Sequence, residues 1–428
     1  MVNKMFINQK IRQNSRRFVS LYLLIKQFNM KSTKFFYYIF LIGIIVLMIT
    51  CTRQERSESE EIGVNEKGLP TMIPSKVKYS KLENSYLSSK KASVEKYCGK
   101  YWSNENNNLS FLVAKDGQII YERYQGIGNR EQDIAITQDT PIHIASVSKV
   151  LTATAALLLI NQNKIGLDQK VNTILDNFPY PEITVRTLLD HRSGLRNYAY
   201  FTEDKGVWDR HKTLTNQDIL NLFTEKNIQL ESTTDTRFAY CNTNYAVLAS
   251  IIEKVTELSY PEAMKEMIFT PLGMNDTYVF EFDKHLETAM PSYKATNMRL
   301  AYDYLDAVYG DKNIYSTPRD LLKFDMARKA PTFLKKKLRD QIYVGYSNEH
   351  KGTKNYGLGM RMIEWETGQK YYFHNGWWHG NTSSFVTLKN ERVSIIALSN
   401  RFTRNVYAIR KLAPLFGDYP FVFKDEEE

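Results

Sequence analysis

The chain has 428 residues, of which 43% are apolar and 24% are charged, a composition typical of a globular protein with a large core. Its formal net charge is +10, but residues 1–34 contain eight Lys and Arg residues and no acid, so the rest of the chain carries only +2. A near-neutral body argues against nucleic acid as a partner.

The N-terminal segment is typical of a protein exported to the cell envelope. From Met30, a basic stretch precedes the uncharged residues Phe35–Thr50 and then Cys51, which is the order of a secretory signal. The four residues that end at Cys51 resemble a bacterial lipoprotein box, in which this cysteine is lipidated. The alternative is an uncleaved anchor, since Phe35–Thr52 is near the lower length limit for a bilayer span. Both alternatives attach the protein to the membrane with its body outside the cytoplasm, as in a periplasmic lipoprotein. In both, translation could start at Met1 or at Met30.

A polar segment follows the signal or anchor. Residues 51–84 contain an acidic patch and a Gly68–Pro70 break, which predicts a tether between the membrane and the body. The predicted organisation is therefore an upstream extension with the signal or anchor over 1–50, the tether over 51–84, and one folded domain over 85–420.

Cysteine usage gives no indication of a metal or a disulfide framework. Beyond Cys51 the chain contains only Cys98 and Cys241, which are far apart in sequence, and two such cysteines do not make a disulfide scaffold. No His/Cys cluster has the spacing of a zinc site. The sequence therefore predicts neither a metal nor a cofactor.

Apolar runs predict a sheet assembled from both ends of the domain. Residues 109–115 and 118–124 flank Asp116-Gly117, which is a hairpin signal. The middle of the chain is mostly helix-like to about residue 330. Strand-like runs and a final helix follow near the C-terminus, at 369–374, 383–388, 393–398 and about 404–415. This order predicts an α+β fold, with an antiparallel sheet built from the N- and C-terminal segments, flanking helices and a mostly helical subdomain.

The first candidate for chemistry is Ser146, which precedes Lys149 at the start of a long apolar run. This setting places a hydroxyl and an amine on one buried helical face. Burial disfavours the ammonium form of a lysine, and a neutral amine can take the proton of a nearby hydroxyl. The helix N-terminus would stabilise an oxyanion. The alternative is a helix N-cap with the lysine in solvent. The same spacing begins at Ser75, Ser88 and Ser93, but those copies lie in polar, lysine-rich sequence.

Two later groups are the remaining candidates. Tyr240 and Asn242 lie two residues apart, just before a helix-like apolar run, so both polar ends could face one cleft. The alternative for Tyr240 is a core aromatic residue with a satisfied hydroxyl. His374 ends a strand-like run and is followed by Gly376, and a glycine beside a strand often marks close approach to a ligand. The alternative for His374 is a structural histidine.

The order of these three motifs, on a buried helix, a loop and a strand, resembles the serine β-lactamase and penicillin-binding-protein superfamily, specifically its class C β-lactamase-related group. This similarity covers roughly residues 95–415 and implies a β-lactamase/transpeptidase-like fold. Four further segments resemble segments of the group: Leu188–Leu195, Pro271–Met274, Ser316–Leu321 and Tyr356–Met360.

The resemblance implies a role for each motif residue. Ser146 would be the acylated nucleophile, and Lys149 its proton acceptor or electrostatic activator. Tyr240 would pass a proton to the leaving group, and Asn242 would hydrogen-bond the substrate and the lysine. Which group is the acylation base is disputed in such enzymes.

The third motif departs from the β-lactamases, which usually have Lys-Thr-Gly where this chain has His374, Asn375 and Gly376. The resemblance also implies an oxyanion hole made by the backbone N–H groups of Ser146 and Trp377. Near neutral pH, histidine supplies less positive charge than lysine for binding a substrate carboxylate. This departure argues against efficient β-lactam hydrolysis. The bulk of Trp377 and Trp378, immediately after the glycine, would narrow the cleft or form an aromatic wall.

The sequence therefore predicts an extracytoplasmic serine hydrolase that forms an acyl-enzyme on an amide or ester of a small molecule or peptide. Peptidoglycan-derived D-amino-acid peptides are the first expected substrates, as for a D-Ala-D-Ala carboxypeptidase or D-peptidase, with esters second and β-lactams third. The rival hypothesis is a non-catalytic homologue that binds cell-wall peptides. That hypothesis predicts a missing motif residue, and all are present.

Overall fold

Short strands and helices follow one another along residues 63–104, 107–349 and 354–421, which the computed structural model describes. The strands are β1 Gly63–Val64, β2 Pro70–Thr71, β3 Leu109–Lys115, β4 Gln118–Gln125, β5 Ile127–Asn129, β6 Ile134–Ala135, β7 Ile142–His143, β8 Tyr278–Val279, β9 Ser292–Tyr293, β10 Arg299–Leu300, β11 Ile314–Ser316, β12 Lys354–Tyr356, β13 Arg361–Glu364, β14 Lys370–Trp378, β15 Asn381–Leu388 and β16 Val393–Ser399. The α-helices are α1 Asn84–Tyr101, α2 Ser148–Asn161, α3 Val185–Leu189, α4 Tyr198–Phe201, α5 Asn216–Glu225, α6 Asn242–Thr256, α7 Tyr260–Met264, α8 Thr270–Leu272, α9 Phe282–His285, α10 Pro318–Lys329 and α11 Lys336–Ile342.

The main sheet joins the two ends of the domain. Its strand order is β12-β13-β14-β15-β16-β3-β4, and every neighbouring pair is antiparallel. The C-terminal strand β16 pairs directly with β3 of the N-terminal hairpin, with Ile396 opposite Leu112. This pairing confirms the α+β prediction of a sheet made from both terminal segments.

Both faces of the sheet are covered, which explains why its central strands are continuously apolar. Side chains alternate between the faces of a strand. Ile396 and Leu398 of β16 therefore join the core that contains α2 and α6, whereas Ile395 and Ala397 join a second core with α1 and the C-terminal segment. Helix α2 is the centre of the first core, and all of its residues are buried.

Several helices of the middle subdomain begin with a side-chain cap, which fixes where they start. Thr184, Thr215 and Ser259 precede α3, α5 and α7, and each side chain accepts a hydrogen bond from the backbone N–H three residues later. In each case the side chain at that third position bonds back to the capping residue, forming a capping box. These local signals set the helix starts independently of the tertiary packing.

Part of the segment predicted to be a tether packs on the domain. Strands β1 and β2 form a small hairpin, and Leu69 and Met72 are buried in the first core. The backbone N–H of Met72 donates to the carbonyl of Met267 at 2.8 Å. The apolar residues after the Gly68 turn thus belong to the domain, so the folded part begins before residue 85.

The final helix predicted at about 404–415 is present as the 3-10 helix Asn405–Leu415, in which Pro414 lacks the N–H that an α-helical turn would use. The structure differs from the sequence prediction at one edge of the sheet. Strands β12 and β13 extend the sheet at one edge, and their short, mixed sequences gave no strand signal.

The predicted signal or anchor within 1–50 and the lipidation residue Cys51 lie outside the described residues. Among the residues that the structure does describe, no helix combines the length and the apolar character needed to cross a bilayer. Cys98 and Cys241 are both buried and free, and they lie in different cores.

The contribution of the β1–β2 hairpin to stability can be tested at Met72, which is buried. We expect Met72→Ala to lower the free energy of unfolding by about 2 to 5 kcal/mol, because it leaves a cavity in the core. The matched control is Val77→Ala at an exposed position of the same segment, with an expected change within about 0.5 kcal/mol. Equal denaturant midpoints for the two variants would show that the hairpin does not stabilise the domain.

Candidate active site

Ser146 and Lys149 lie together at the start of α2. Ser146 belongs to the 3-10 turn Ala145–Val147, and Lys149 is in the first turn of the helix. The Lys149 Nζ atom is 3.2 Å from Ser146 Oγ and donates to the Asp311 carbonyl at 2.7 Å. Lys149 is fully buried, which excludes the alternative of a solvent-facing lysine, and Ser146 is partly exposed. A partly exposed hydroxyl therefore contacts a desolvated amine.

The turn before the nucleophile is held by His143. Ala145 has a φ of +46°, which is unusual for a residue other than glycine. The His143 Nδ1 atom accepts from the Ala145 N–H at 3.1 Å, so Nε2 carries the proton and donates to Asn313 Oδ1 at 3.1 Å. Burial lowers the pKa of His143 to about 4. A neutral histidine thus fixes the uncommon backbone conformation that presents Ser146.

Gly376 allows β14 to approach this turn closely. A Cβ atom at this position would lie 2.5 Å from the Ile144 carbonyl oxygen and 2.9 Å from the Ser146 nitrogen, closer than side-chain carbons pack. On the neighbouring strand, Ser383 Oγ donates to the same Ile144 carbonyl at 2.6 Å. The motif glycine predicted from sequence therefore holds the strand against the nucleophile's backbone.

Tyr240 lies near Lys149, among charged and aromatic groups. Its ring centroid is 5.2 Å from Lys149 Nζ and 4.4 Å from Arg361 Cζ. The rings of His191 and His374 lie 4.4 and 6.2 Å from it, respectively. The structure thus brings together the serine, lysine, tyrosine and histidine predicted from three distant parts of the sequence.

His374 is a neutral, buried member of the site. Its Nδ1–H donates to the Asn375 carbonyl at 2.9 Å, and its Nε2 accepts from the Tyr356 hydroxyl at 3.3 Å. Burial lowers the pKa of His374 well below its usual range, and the positive charges of Arg361 and Lys149 lower it further. This residue therefore does not supply the cation that a lysine supplies at the same motif position.

The remaining predicted residues line the surroundings of these groups. Asn242 begins α6, and its Oδ1 atom is buried without a hydrogen-bond partner among the described residues. Among the described residues, no hydrogen bond joins Asn242 to Lys149. Asn375 Oδ1 accepts from Ser384 Oγ at 2.7 Å, and the side chain of Trp377 is 63% exposed.

The structure adds residues that the sequence reasoning missed. Arg361 follows directly on the Tyr356–Met360 segment, and within the described residues its guanidinium stacks on Tyr240 without a carboxylate partner. His191 lies within the Leu188–Leu195 segment and is buried with a φ of +61°. The resemblance of Leu188–Leu195 and Tyr356–Met360 to family segments was the signal that could have found them. Neither His191 nor Arg361 was assigned a role in the site from that resemblance.

One group of possible metal ligands occurs in the described part of the chain, at Asp303, Asp306 and His379, with ligand atoms within 4.8 Å of one another. The Asp306 carboxylate already accepts hydrogen bonds from Trp378 Nε1 at 2.5 Å and from His379 Nε2 at 2.9 Å. Burial lowers the pKa of His379, but bonding to Asp306 outweighs it and the net direction is upward. Asp306 and His379 therefore form an ion pair between a loop and the β14–β15 turn.

Comparison with known proteins agrees with this geometry. The β-lactamase family model matches residues 102–414. Penicillin-binding protein 4* of Bacillus subtilis (strain 168) is 31% identical over 333 residues, which cover 72% of each chain. A D-aminopeptidase of Cereibacter sphaeroides (strain ATCC 17029 / ATH 2.4.9) is 25% identical over 290 residues, 67% of this chain and 55% of that protein.

A solved structure supports the fold. The crystal structure of a penicillin binding protein from Bacillus halodurans superposes with a TM-score of 0.64 at 20% identity, over 78% of this chain and all of that one. The shared fold, the family match over most of the domain and the identity to the Bacillus subtilis protein lead to one conclusion. The chain belongs to the β-lactamase family of serine hydrolases.

Proposed function

We propose that Ser146 Oγ attacks the carbonyl carbon of an amide or ester while Lys149 Nζ accepts the hydroxyl proton. The observation that carries this proposal is the 3.2 Å contact between these atoms, with the amine desolvated and the hydroxyl accessible. No carboxylate of the described residues lies within 4 Å of Nζ, so the Ser146 hydroxyl and the Asp311 carbonyl are its hydrogen-bond partners there. Water then hydrolyses the acyl-enzyme at Ser146.

The neighbouring groups support the other steps. The Tyr240 ring lies beside Lys149, where its hydroxyl can pass the proton on to the leaving group. The Ser146 N–H lies at the start of a helical segment and against β14. Together with the Trp377 N–H, it would stabilise the oxyanion of the tetrahedral intermediate. Asn242 Oδ1 is buried without a partner among the described residues, and an amide N–H of the substrate that reached it would satisfy this acceptor.

We propose a substrate with a D-amino-acid residue and a free carboxylate, as at the end of a peptidoglycan-type peptide. The names of the relatives, a penicillin-binding protein and a D-aminopeptidase, support the D-amino-acid residue. Arg361 supports the free carboxylate, because its guanidinium lies over the Tyr240 ring and a guanidinium matches a carboxylate in geometry. Since His374 is neutral, Arg361 is the cation best placed to recognise this group.

We also propose that the domain acts outside the cytoplasm, attached to the membrane through Cys51. The basic, apolar and cysteine-terminated order of residues 30–51 supports this location. A substrate from the cell wall is accessible only from that side of the membrane. The proposed reaction at Ser146 does not depend on the membrane attachment or on the location of the domain.

Labelling with a fluorophosphonate probe tests the nucleophile. We expect the folded protein to be labelled and Ser146→Ala to be unlabelled, because the reacting oxygen is gone. Lys149→Ala should lower the labelling rate by about 100- to 10,000-fold, the range of a lost general base. The matched control is Ser88→Ala, which removes an exposed serine of the same Ser-x-x-Lys spacing and should label as wild type. Undiminished labelling of Ser146→Ala would refute the mechanism.

Substrate pairs that differ only in a terminal carboxylate test Arg361. We expect Arg361→Met to lower kcat/KM for a D-alanyl peptide with a free carboxylate by about 10- to 100-fold, because a charged hydrogen bond is lost. For the same peptide with its carboxylate amidated, kcat/KM of the variant should equal that of the wild type within about threefold. An equal loss on both substrates would show that Arg361 supports the structure rather than binding the carboxylate.

Membrane attachment can be tested by cell fractionation. We expect the full chain, expressed in a bacterium, to incorporate labelled palmitate and to partition with the membrane, because two or three acyl chains on Cys51 anchor it stably. Cys51→Ser should lose the label. A Cys51→Ser protein that stays in the membrane fraction with unchanged yield would favour the uncleaved anchor.

A further inference from the structure

His191 lies beside Tyr240, and the proposed reaction gives it no role. It follows α3 within the Leu188–Leu195 segment and is fully buried. Its imidazole packs among aromatic rings, with centroids 4.4 Å from Tyr240, 4.8 Å from Tyr356 and 5.1 Å from Tyr245. A phenyl ring would suit aromatic surroundings without bringing polar nitrogen atoms into the core. The presence of an imidazole at this position therefore needs a physical account.

The Nδ1 atom of His191 accepts two hydrogen bonds. The Cys241 N–H donates to it at 3.2 Å, and the side-chain amide of Asn244 donates to it at 3.1 Å. Because a backbone N–H can only donate, Nδ1 carries no proton and Nε2 carries it. Burial is the main cause that lowers the pKa of His191 well below its usual range, so the ring is neutral near pH 7. One tautomer of a neutral imidazole thus holds both donors.

The same residue binds the backbone on both sides of Tyr240. The Ala239 N–H donates to the His191 carbonyl at 2.9 Å, and the Cys241 N–H donates to the imidazole. Tyr240 lies between these two anchored residues, and its own ring packs against the imidazole. Three separate contacts therefore relate the position of Tyr240 to His191.

A further contact extends this support into α6. Asn244 lies in the first turn of the helix, two residues after Asn242. It is fully buried, and its Oδ1 atom accepts from Ser193 Oγ at 2.5 Å while its amide donates to His191. Ser193, Asn244 and His191 thus form one buried chain of hydrogen bonds. Asn242 therefore also lies between two residues that are bonded to the imidazole.

Two unfavourable features of His191 support a specific role for its imidazole. The Nε2 atom is buried without a hydrogen-bond partner among the described residues, and an unsatisfied buried donor lowers stability. The residue also has a φ of +61°, which is uncommon for a residue other than glycine. Neither feature stabilises the fold, whereas Nδ1 and the carbonyl bind the loop that contains Tyr240.

We propose that His191 is a positioning residue for Tyr240 and Asn242. Its Nδ1 atom and its carbonyl fix the loop backbone, so that the Tyr240 side chain lies beside Lys149. This inference rests on the proposed function, in which Tyr240 passes a proton to the leaving group. It assigns His191 an action through the loop rather than on the substrate.

A pair of substrates that differ in the leaving group tests this role. The first is a D-alanyl peptide with a free carboxylate, and the second has a thioester in place of the scissile amide. The amine leaves only with a proton, whereas the thiolate leaves without one. His191→Phe keeps a ring but offers no acceptor to the Cys241 N–H. We expect it to lower kcat/KM for the amide on the order of 100-fold, as for a misplaced catalytic group, and that for the thioester by less than about threefold.

Two further variants separate positioning from a general loss of structure. In His191→Asn, the amide oxygen takes the place of Nδ1, and asparagine tolerates a positive φ, so kcat/KM for the amide should recover to within about tenfold of wild type. In a Tyr240→Phe background, His191→Phe should lower it by less than about threefold further, because two residues that act as a unit are not additive. If His191→Phe does not fold, His191→Gln takes its place, because the glutamine amide matches Nε2 rather than Nδ1.

His285 provides a matched control. Its Nδ1 atom also accepts from a backbone N–H, that of Glu281, at 3.0 Å, and its ring stacks on Tyr278 with centroids 4.5 Å apart. These contacts lie at α9 rather than on the Tyr240 loop. His285→Phe should therefore leave the ratio of amide to thioester turnover at the wild-type value.

The outcomes separate this inference from the proposed function. Fluorophosphonate labelling that persists in Ser146→Ala refutes the proposed function itself. Where labelling depends on Ser146, an equal loss on the amide and the thioester overturns the positioning role of His191 and leaves the nucleophile in place. An undiminished further loss in the Tyr240→Phe background overturns the positioning role as well. A loss confined to the amide, with recovery in His191→Asn, supports it.

Discussion

The removal of the Lys149 amine from water is the constraint on which the rest of the site depends. Helix α2 is buried along its whole length, so a lysine in its first turn has no route to solvent. Its nitrogen is left with a hydroxyl, a carbonyl and two aromatic faces. These contacts fix the amine next to Ser146. The chemistry therefore follows from where the fold buries one helix.

The segment around β11 connects the nucleophile to the base. The Ile144 N–H donates to the Ile314 carbonyl, and the Ile314 N–H donates to Ser148 Oγ. Through Asn313 the same segment holds His143, and through Asp311 it holds the lysine. A few consecutive residues thus fix both sides of the Ser146 turn, and a shift of this segment would displace both reacting groups together.

The sheet and the motif residues could be predicted from sequence because their signals are local. Long apolar runs such as 109–115 and 393–398 predict strands, and Gly376 lies within β14, where this strand approaches the Ser146 turn. The β1–β2 hairpin was missed because its strands are two residues long and lie in polar sequence. In that case tertiary packing of Leu69 and Met72, rather than local pattern, decides the structure.

Arg361 and the buried turn at Asp311 could not be assigned from sequence for a related reason. A charged residue in a strand or a polar loop is most often solvated, and nothing near Arg361 indicates that Tyr240, more than a hundred residues earlier, lies against it. Likewise, Gly310-Asp311-Lys312-Asn313 has the composition of an exposed turn. Only the folded arrangement shows that the turn is buried.

Rapid-quench mass spectrometry during turnover of an activated ester tests most directly whether an acyl-enzyme forms at Ser146. One acyl group should appear on the enzyme before steady state, on the proteolytic peptide that contains Ser146. The adduct should form much more slowly when Lys149 is replaced by alanine. Turnover without a covalent adduct, or an adduct on another residue, would show that Ser146 is not the nucleophile.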